Sequence, residues 1–151
     1  MKTKGFTLIE IIVVIGIIAV LAVILIPSMI AYTKESKMST ANTNAKLAFE
    51  NAATYCVQCQ SGQGPVAQGN YNAIPLRNDN PDTDYSRDGN HLADALQALM
   101  GANGNKSGFA SVKISEKGLP EDARWALTET DLFVGSYPNR TNSEGELPLL
   151  Y

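Results

Sequence analysis

The sequence predicts an α+β protein: a long N-terminal helix, apolar enough in its first half to cross a membrane, packs its second half on a small antiparallel β-sheet. Two observations support this fold class. Apolar residues are concentrated near the start of the 151-residue chain, where they make up 22 of the 27 residues from 6 to 32. An alanine-rich stripe at helical spacing then precedes short alternating runs that are typical of strands. This uneven distribution argues against a uniformly soluble enzyme and against a disordered chain.

Residues 6–32 are expected to form a transmembrane helix. Residues 11–26 are an unbroken run of 16 positions, all apolar if Gly16 is counted. A helix of 27 residues extends ~40 Å, which is enough to cross a hydrocarbon core of ~30 Å with some tilt. Two lysines precede the run and predict a cytoplasmic N-terminus, so the rest of the chain is expected outside. No small-x-small cleavage site follows the run, so we expect the segment to be retained.

Glu10 is the single charged residue in this segment, and it has two interpretations. A carboxylate near the bilayer centre costs ~2.5–3.5 kcal/mol, and less near the edge. The helix N-terminus and headgroup water can satisfy it there. Alternatively, it pairs with a cation in the same layer. That cation must come from another chain or from an α-amino group created by cleavage, because no basic residue lies within residues 6–32.

The run Gly5-Phe6-Thr7-Leu8-Ile9-Glu10, followed by the apolar residues and Pro27, closely resembles the prepilin signature of type IV pilins and their relatives. The resemblance covers about the first 32 residues. It implies that a membrane prepilin peptidase cuts after Gly5 and methylates the new N-terminus at Phe6. It also implies that Glu10 pairs with the N-terminal amine of a neighbouring subunit during assembly.

The resemblance further implies an organisation for the whole chain. Residues 1–5 would be the leader, residues 6–32 the transmembrane and assembly helix, and residues 33–151 an extracytoplasmic head that includes the second half of the helix. The chain would first be a single-pass membrane precursor with its N-terminus in the cytoplasm, and then part of an extracellular pilus filament. Its partners would be the peptidase, the assembly platform and its ATPase, the membrane, and further copies of itself in a helical homopolymer.

Gly16 and Pro27 are expected to loosen or kink the apolar helix. Proline removes a helical hydrogen bond, and glycine lowers helix propensity. Related pilins often carry a glycine at the position of Ala19, so the weak segment is shifted in this chain. Pro27 is nevertheless not expected to end the helix.

One helix is predicted from about Phe6 to about Tyr55. A helix of this length cannot be covered by one small domain, so its first half must be buried by lipid or by other subunits. Its second half carries one apolar stripe at spacings of three and four, and the stripe comprises Met38, Ala41, Ala45, Ala48, Phe49, Ala52 and Cys56.

The run Cys56-Val57-Gln58-Cys59 is expected to close the helix. A disulfide between the two cysteines, formed after export, is favoured over a redox pair or a metal site, with free thiols or links between subunits as alternatives. A zinc site lacks ligands, because there is no second cysteine pair and His91 is the only histidine. Many pilins clamp a C-terminal loop with a disulfide. No cysteine follows Cys59, so that edge must be held in another way.

Residues 61–80 are predicted to be a connector rich in Gly, Gln, Pro and Asn. The run Asp84-x-Ser86-x-Asp88-Gly89 that follows resembles the start of a calcium-binding loop. Ala95 stands where the closing glutamate would be, so a solvated turn is favoured over a calcium site.

The remaining chain is predicted to contain a short helix from about residue 91 to residue 100 and three strands. The strands are expected at residues 110–115, at residues 124–128 and at residues 132–137. Residues 138–151 are predicted to form a surface loop whose end docks back on the head.

The leading functional prediction is a structural subunit of a type IV pilus. One alternative is a pseudopilin of a type II secretion or DNA-uptake system. Another is a membrane-anchored extracytoplasmic binding module, which would not need Gly5, Phe6 or Glu10. An enzyme is least favoured, because no nucleophile–histidine arrangement, phosphate loop or metal cluster is visible, and no cofactor is expected. The 10 basic and 14 acidic residues after Tyr32 argue against nucleic-acid binding.

Overall fold

The computed structural model describes residues 7–62, 64–76, 91–101 and 107–151. The chain divides into two compact units, Met1–Ser36 and Lys37–Tyr151. Helix α1 comprises Leu8–Gly62, strand β1 comprises Gly69–Pro75 and helix α2 comprises Leu92–Met100. Strands β2, β3 and β4 follow, and they comprise Phe109–Ile114, Pro120–Ala126 and Gly135–Tyr137. The four strands form one antiparallel sheet in the order β1-β2-β3-β4. The predicted α+β class, with the layout of a type IV pilin, is confirmed.

Helix α1 continues through Pro27 and ends at Gly62, seven residues later than the predicted end at Tyr55. The Cys-x-x-Cys run therefore lies inside the helix and does not close it. No glycine or proline occurs between Tyr55 and Gly62, so nothing in the local sequence stops the helix earlier. Gly64 follows with φ at +108° and donates its N–H to the carbonyl of Cys59 at 3.0 Å. Glycine adopts this conformation without strain, and the bond satisfies a carbonyl at the helix end.

The core of the second unit forms between α1 and one face of the sheet. Ala45, Ala48 and Ala52 are fully buried, in one cluster with β2 and β3 side chains such as Val112 and Trp125. Because alanine side chains are short, they let the helix backbone approach the sheet closely. The predicted stripe on α1 is buried along its length apart from the half-buried Phe49, and helix α2 adds Leu92 and Leu96 to the same cluster.

A second, smaller cluster lies on the opposite face of the sheet. It contains Ala126, Val134 and Leu149, with Ala73 and Phe109 packed against them. Side chains alternate between the two faces of a strand, and these strand residues neighbour positions that face α1. The segment after β4 therefore covers the face that α1 leaves open.

Strand β1 lies within residues 61–80, where the sequence predicts only a connector. Its register on β2 shifts between Tyr71 and Ile74, and Ala73 adopts a positive φ of 47°. Ser111 of β2 accepts a hydrogen bond from the Ala73 N–H at 2.9 Å. The bulge interrupts the two-residue alternation that identifies a strand in a sequence, so pairing with β2 is what establishes β1.

The third predicted strand is shorter than expected, because only Gly135–Tyr137 pairs with β3. Leu132 and Phe133 lie outside the sheet, in irregular chain before β4. The Asp131 side chain accepts the N–H of Phe133 at 3.0 Å, and Gly145 donates to the carbonyl of Leu132 at 2.7 Å. One local bond and one bond from the chain after β4 therefore take backbone groups that a strand would need for pairing.

Candidate functional site

The apolar part of α1 presents its side chains to the surroundings on every side. From Leu8 to Tyr32, the exposed fraction of the large apolar side chains runs from 47% at Val14 to 78% at Leu8. Within the described part of the chain, α1 is the one helix that is long and apolar enough to cross a membrane. Each such side chain loses about 1.5–3 kcal/mol of stabilisation from burial if it faces water. This segment therefore requires lipid or other protein chains around it.

Glu10 lies in the first turn of this helix, and its side chain is exposed. Its backbone N–H donates to the carbonyl of Thr7 at 3.1 Å, which begins the helix. A carboxylate at this position is favoured by the positive end of the helix dipole. Gly5 and Phe6 lie outside the described residues, so cleavage, methylation and the pairing of Glu10 stay predictions.

Gly16 and Pro27 both lie within the continuous helix. A side chain at Gly16 would meet nothing within 4 Å, and the residue forms the floor of a shallow apolar depression between Val13 and Val20. Near Pro27, the hydroxyl groups of Ser28 and Thr33 donate to carbonyls of the preceding turn at 2.9 and 2.7 Å. The expected loosening of the helix between Gly16 and Pro27 stays a prediction.

Cys56 and Cys59 are buried thiols on consecutive turns of α1. Burial, and to a lesser degree Cys59, raises the pKa of Cys56 to about 11. Burial is also the main cause that raises the pKa of Tyr71, with Cys56 the second cause. No group of three or more His, Cys, Asp or Glu residues comes together within the described residues. The disulfide stays a prediction, and Asp84, Ser86 and Asp88 of the calcium prediction lie outside the described residues.

Asn42 joins α1 to β4 and to the chain after it, a role that the sequence did not predict. Its side-chain oxygen accepts the N–H groups of Ser136 and Thr141 at 3.1 and 3.2 Å, and its Nδ2 donates to the carbonyl of Thr141 at 2.8 Å. The hydroxyl of Thr141 donates to the carbonyl of Val134 at 2.5 Å. The sequence does show a polar residue, Asn42, beside an alanine of the apolar stripe. That position alone does not reveal which groups Asn42 binds.

The end of the described chain is held at a second point, centred on Arg124 of β3. Its guanidinium donates to the carbonyls of Pro148 and Leu150 at 3.0 and 2.9 Å, and it lies 4.0 Å from the ring of Tyr151. Asp122 is 3.4 Å from Arg124 Nε. Burial and then the Asp122 carboxylate raise the pKa of Tyr151. The prediction that this segment docks back on the head is confirmed.

His91 stands immediately before α2 and is half-buried. Its Nδ1 lies 2.8 Å from an oxygen of Asp94 in the first turn of that helix. This contact links the residue before α2 to the first turn of the helix.

Comparison with known proteins identifies the N-terminal segment. Residues 1–26 match a family model described as the prokaryotic N-terminal methylation motif. The chain is 46% identical over 48 residues to the type IV major pilin protein PilA of Myxococcus xanthus (strain DK1622). That alignment covers 32% of this chain and 22% of the Myxococcus protein, so the similarity spans about a fifth of the relative. No solved structure matches. The resemblance of the N-terminal segment to type IV pilins is confirmed.

Proposed function

We propose that the chain is a structural subunit of a type IV pilus filament. The observation that carries the proposal is the methylation motif over residues 1–26, which extends into an exposed apolar segment of α1 whose single charge is Glu10. A membrane anchor alone needs only the apolar residues. The motif adds a processing site, and Glu10 adds a charge that is costly unless something compensates it.

The apolar segment has two successive environments under this proposal. Residues 6–32 lie in the membrane in the precursor, with residues 1–5 in the cytoplasm and residues 33–151 outside. In the filament, the same apolar side chains pack against the segments of neighbouring copies, so lipid is replaced by protein. The machinery that carries out the transfer would be the prepilin peptidase, the assembly platform and its ATPase.

Glu10 determines the axial register between copies under this proposal. Cleavage after Gly5 leaves a cationic amine on Phe6, four residues before Glu10 and so at a similar depth. Two buried charges from different chains offset each other's desolvation only where they meet. The apolar side chains supply most of the attraction, and the ion pair penalises misaligned docking.

The experiment replaces Glu10 in cells that carry the assembly machinery. Glu10→Leu should insert into the membrane normally, because the change removes a cost of insertion. It should lose most of its sheared filament fraction, and Glu10→Asp should lose part of it because the shorter side chain reaches less far. Glu35→Leu is the matched control, since it removes a carboxylate from the same helix beyond the apolar segment.

The readout is the ratio of sheared filament to membrane-bound subunit for each variant. Normal filament yield from Glu10→Leu would overturn the pairing role. Correct processing with no surface filament in the wild-type chain would overturn the pilus assignment and favour a pseudopilin. An unprocessed wild-type chain with its head exposed at the surface would favour an anchored binding module.

A further inference from the structure

Residues 147–151 cross the outer face of the sheet in the way that an extended peptide binds a receptor. Residues from β1 and β3 contact main-chain groups of this segment. Arg124 donates to the carbonyls of Pro148 and Leu150, and Asn72 accepts the N–H of Tyr151 at 3.1 Å. Hydrogen bonds to alternate main-chain groups are how extended peptides gain affinity.

The side chains of the segment alternate between inside and outside. Leu149 is 3% exposed and lies in the cluster with Ala126 and Val134, whereas Leu150 is 51% exposed. Tyr151 turns back inward, and its ring lies against the Arg124 guanidinium. The apolar pocket accepts Leu149, and the Arg124 guanidinium accepts the ring two residues later in the segment. Together they select the sequence Leu-x-aromatic.

The receptor side is held in position by residues outside the segment. Asp122 is paired with Arg124 Nε, and the hydroxyl of Ser136 donates to the other Asp122 oxygen at 3.2 Å. The Arg124 side chain is only 14% exposed. A guanidinium fixed in this way loses less conformational entropy when it binds two carbonyls than a free side chain would. We name this receptor surface the outer groove; it comprises Asn72, Ala73, Phe109, Arg124, Ala126 and Val134.

We propose that the outer groove is a peptide-docking site for the sequence Leu-x-aromatic, which residues 147–151 fill in their own chain and which the same segment of a second copy fills in trans. The occupant is a second copy because the sequence that fits the groove is present in every copy. Exchange of identical segments preserves every contact and costs little. No covalent bond to the groove appears among the described residues, and exposed residues 142–146 connect the segment to the rest of the head. The inference does not depend on the pilus assignment.

The first test uses the full chain in detergent, with its own segment disabled by Leu149→Asp and Tyr151→Ser. A fluorescent amidated peptide of residues 146–151 should bind this variant and should bind the wild-type chain at least about tenfold more weakly, because there the groove is already filled. Adding Arg124→Lys should weaken binding about tenfold or more, since lysine has no planar group to lie against the Tyr151 ring and no Nε to face Asp122 while its terminal nitrogen binds the carbonyls. Arg140→Lys in the same background is the matched control, because Arg140 is exposed and lies outside the groove.

Three outcomes would overturn the proposal. They are no binding to the disabled variant, equal binding of a peptide with scrambled sequence, and binding that Arg124→Lys leaves unchanged. Fluorescence of Trp125, which lies on the face toward α1, reports whether each variant is folded. If the double variant is unfolded, Leu149→Ala alone replaces it, because it empties the pocket without adding a charge.

The second test concerns the second copy. A variant with a disabled groove, Arg124→Ala, retains an intact segment, and the Leu149→Asp, Tyr151→Ser variant retains an intact groove. Mixed in equal amounts and carrying different affinity tags, the two variants should be captured together through either tag, with the groove residues and the segment otherwise unchanged. Each variant alone, prepared in both tagged forms, should give at most about a tenth of that yield. Equal yields from the mixture and from the single variants would overturn the exchange between copies.

Discussion

Asn42 satisfies three backbone groups, one in β4 and two in the chain after it, with one buried amide side chain. Burial strengthens such bonds electrostatically, and it also makes them costly to lose, because water does not replace the missing partner. Cys56, four turns further along α1, shows the same effect on a group that can ionise. Its surroundings favour the neutral thiol. The strongest effects of single residues in this head thus come from polar atoms that the apolar core encloses.

Asn42→Ala should lower the free energy of unfolding of the head by about 2–4 kcal/mol, because two N–H groups and one carbonyl lose their partner. The measurement is denaturant unfolding followed by Trp125 fluorescence in the full chain. Asn44→Ala on the same helix is the control and should change stability by no more than about 0.5 kcal/mol, because Asn44 is only half-buried. A loss from Asn42→Ala no larger than that of the control would contradict the role given to Asn42.

Cys56 makes the stability of the head fall at alkaline pH. Its folded pKa of about 11 lies above the 9.0 of an unburied thiol, so the unfolded chain loses the proton first. The stabilisation that the buried, protonated Cys56 thiol provides is therefore fully present below about pH 9 and is lost as pH rises through about 11. Unfolding of the reduced protein, measured from pH 8 to 11, should show a smaller decrease in Cys56→Ser than in the wild-type chain. Identical pH profiles for the two proteins would refute this.

At the scale of elements, the contact between β4 and α1 depends on Gly135. A Cβ at this position would overlap the backbone of Ala41 and Asn42. Strand β4 has only three residues, so it gains little from sheet pairing and depends on this close approach to the helix. The same strand leads into the segment held by Asn42.

Gly135→Ala should destabilise the head by about 1–3 kcal/mol, because rigid backbone on both sides must move apart to admit the methyl group. Gly69→Ala in β1 is the matched control, since a Cβ there meets nothing within 4 Å. Thermal unfolding of both variants would compare them directly. A Gly135→Ala protein as stable as Gly69→Ala would show that β4 can shift away from α1 at no cost.

At the scale of the whole molecule, the two units have different requirements for stability. Lys37–Tyr151 has its own core on both faces of the sheet, whereas the apolar helix within Met1–Ser36 is exposed. The first unit can reside stably only in a membrane or among other chains. We propose that processing at the start of this unit is the step that commits the chain to leave the membrane for the filament.

Intact-mass analysis of the surface form should show a chain that begins at N-methylated Phe6. Gly5→Val should leave the uncut precursor in the membrane, because a side chain there obstructs the close approach of the peptidase to the backbone. Gly16→Val is the matched control for processing: it makes the same substitution within the apolar segment at a position with open space. A surface form that retains Met1 would rule out processing after Gly5.

The sequence by itself determined the features that depend on neighbouring residues. The apolar segment, the stripe from Met38 to Cys56 and helix α2 follow from composition or from a period of three to four residues, and the methylation motif follows from its resemblance to the prepilin signature. These features also include most of the candidate assembly site, because Glu10 is conspicuous in any apolar run. The cysteine pair was visible as well, although the local sequence did not show that the helix continues past it.

Only the tertiary structure decided how the head is closed. Strand β1 breaks the alternation that identifies strands and exists through its pairing with β2, about 40 residues away in sequence. Asn42 binds Thr141 across a separation of 99 residues, and Asn72 binds Tyr151 across 79. Periodicity indicates which face of an element is buried. It does not indicate which distant polar group will meet which, because that choice depends on how the packed core positions the two backbones.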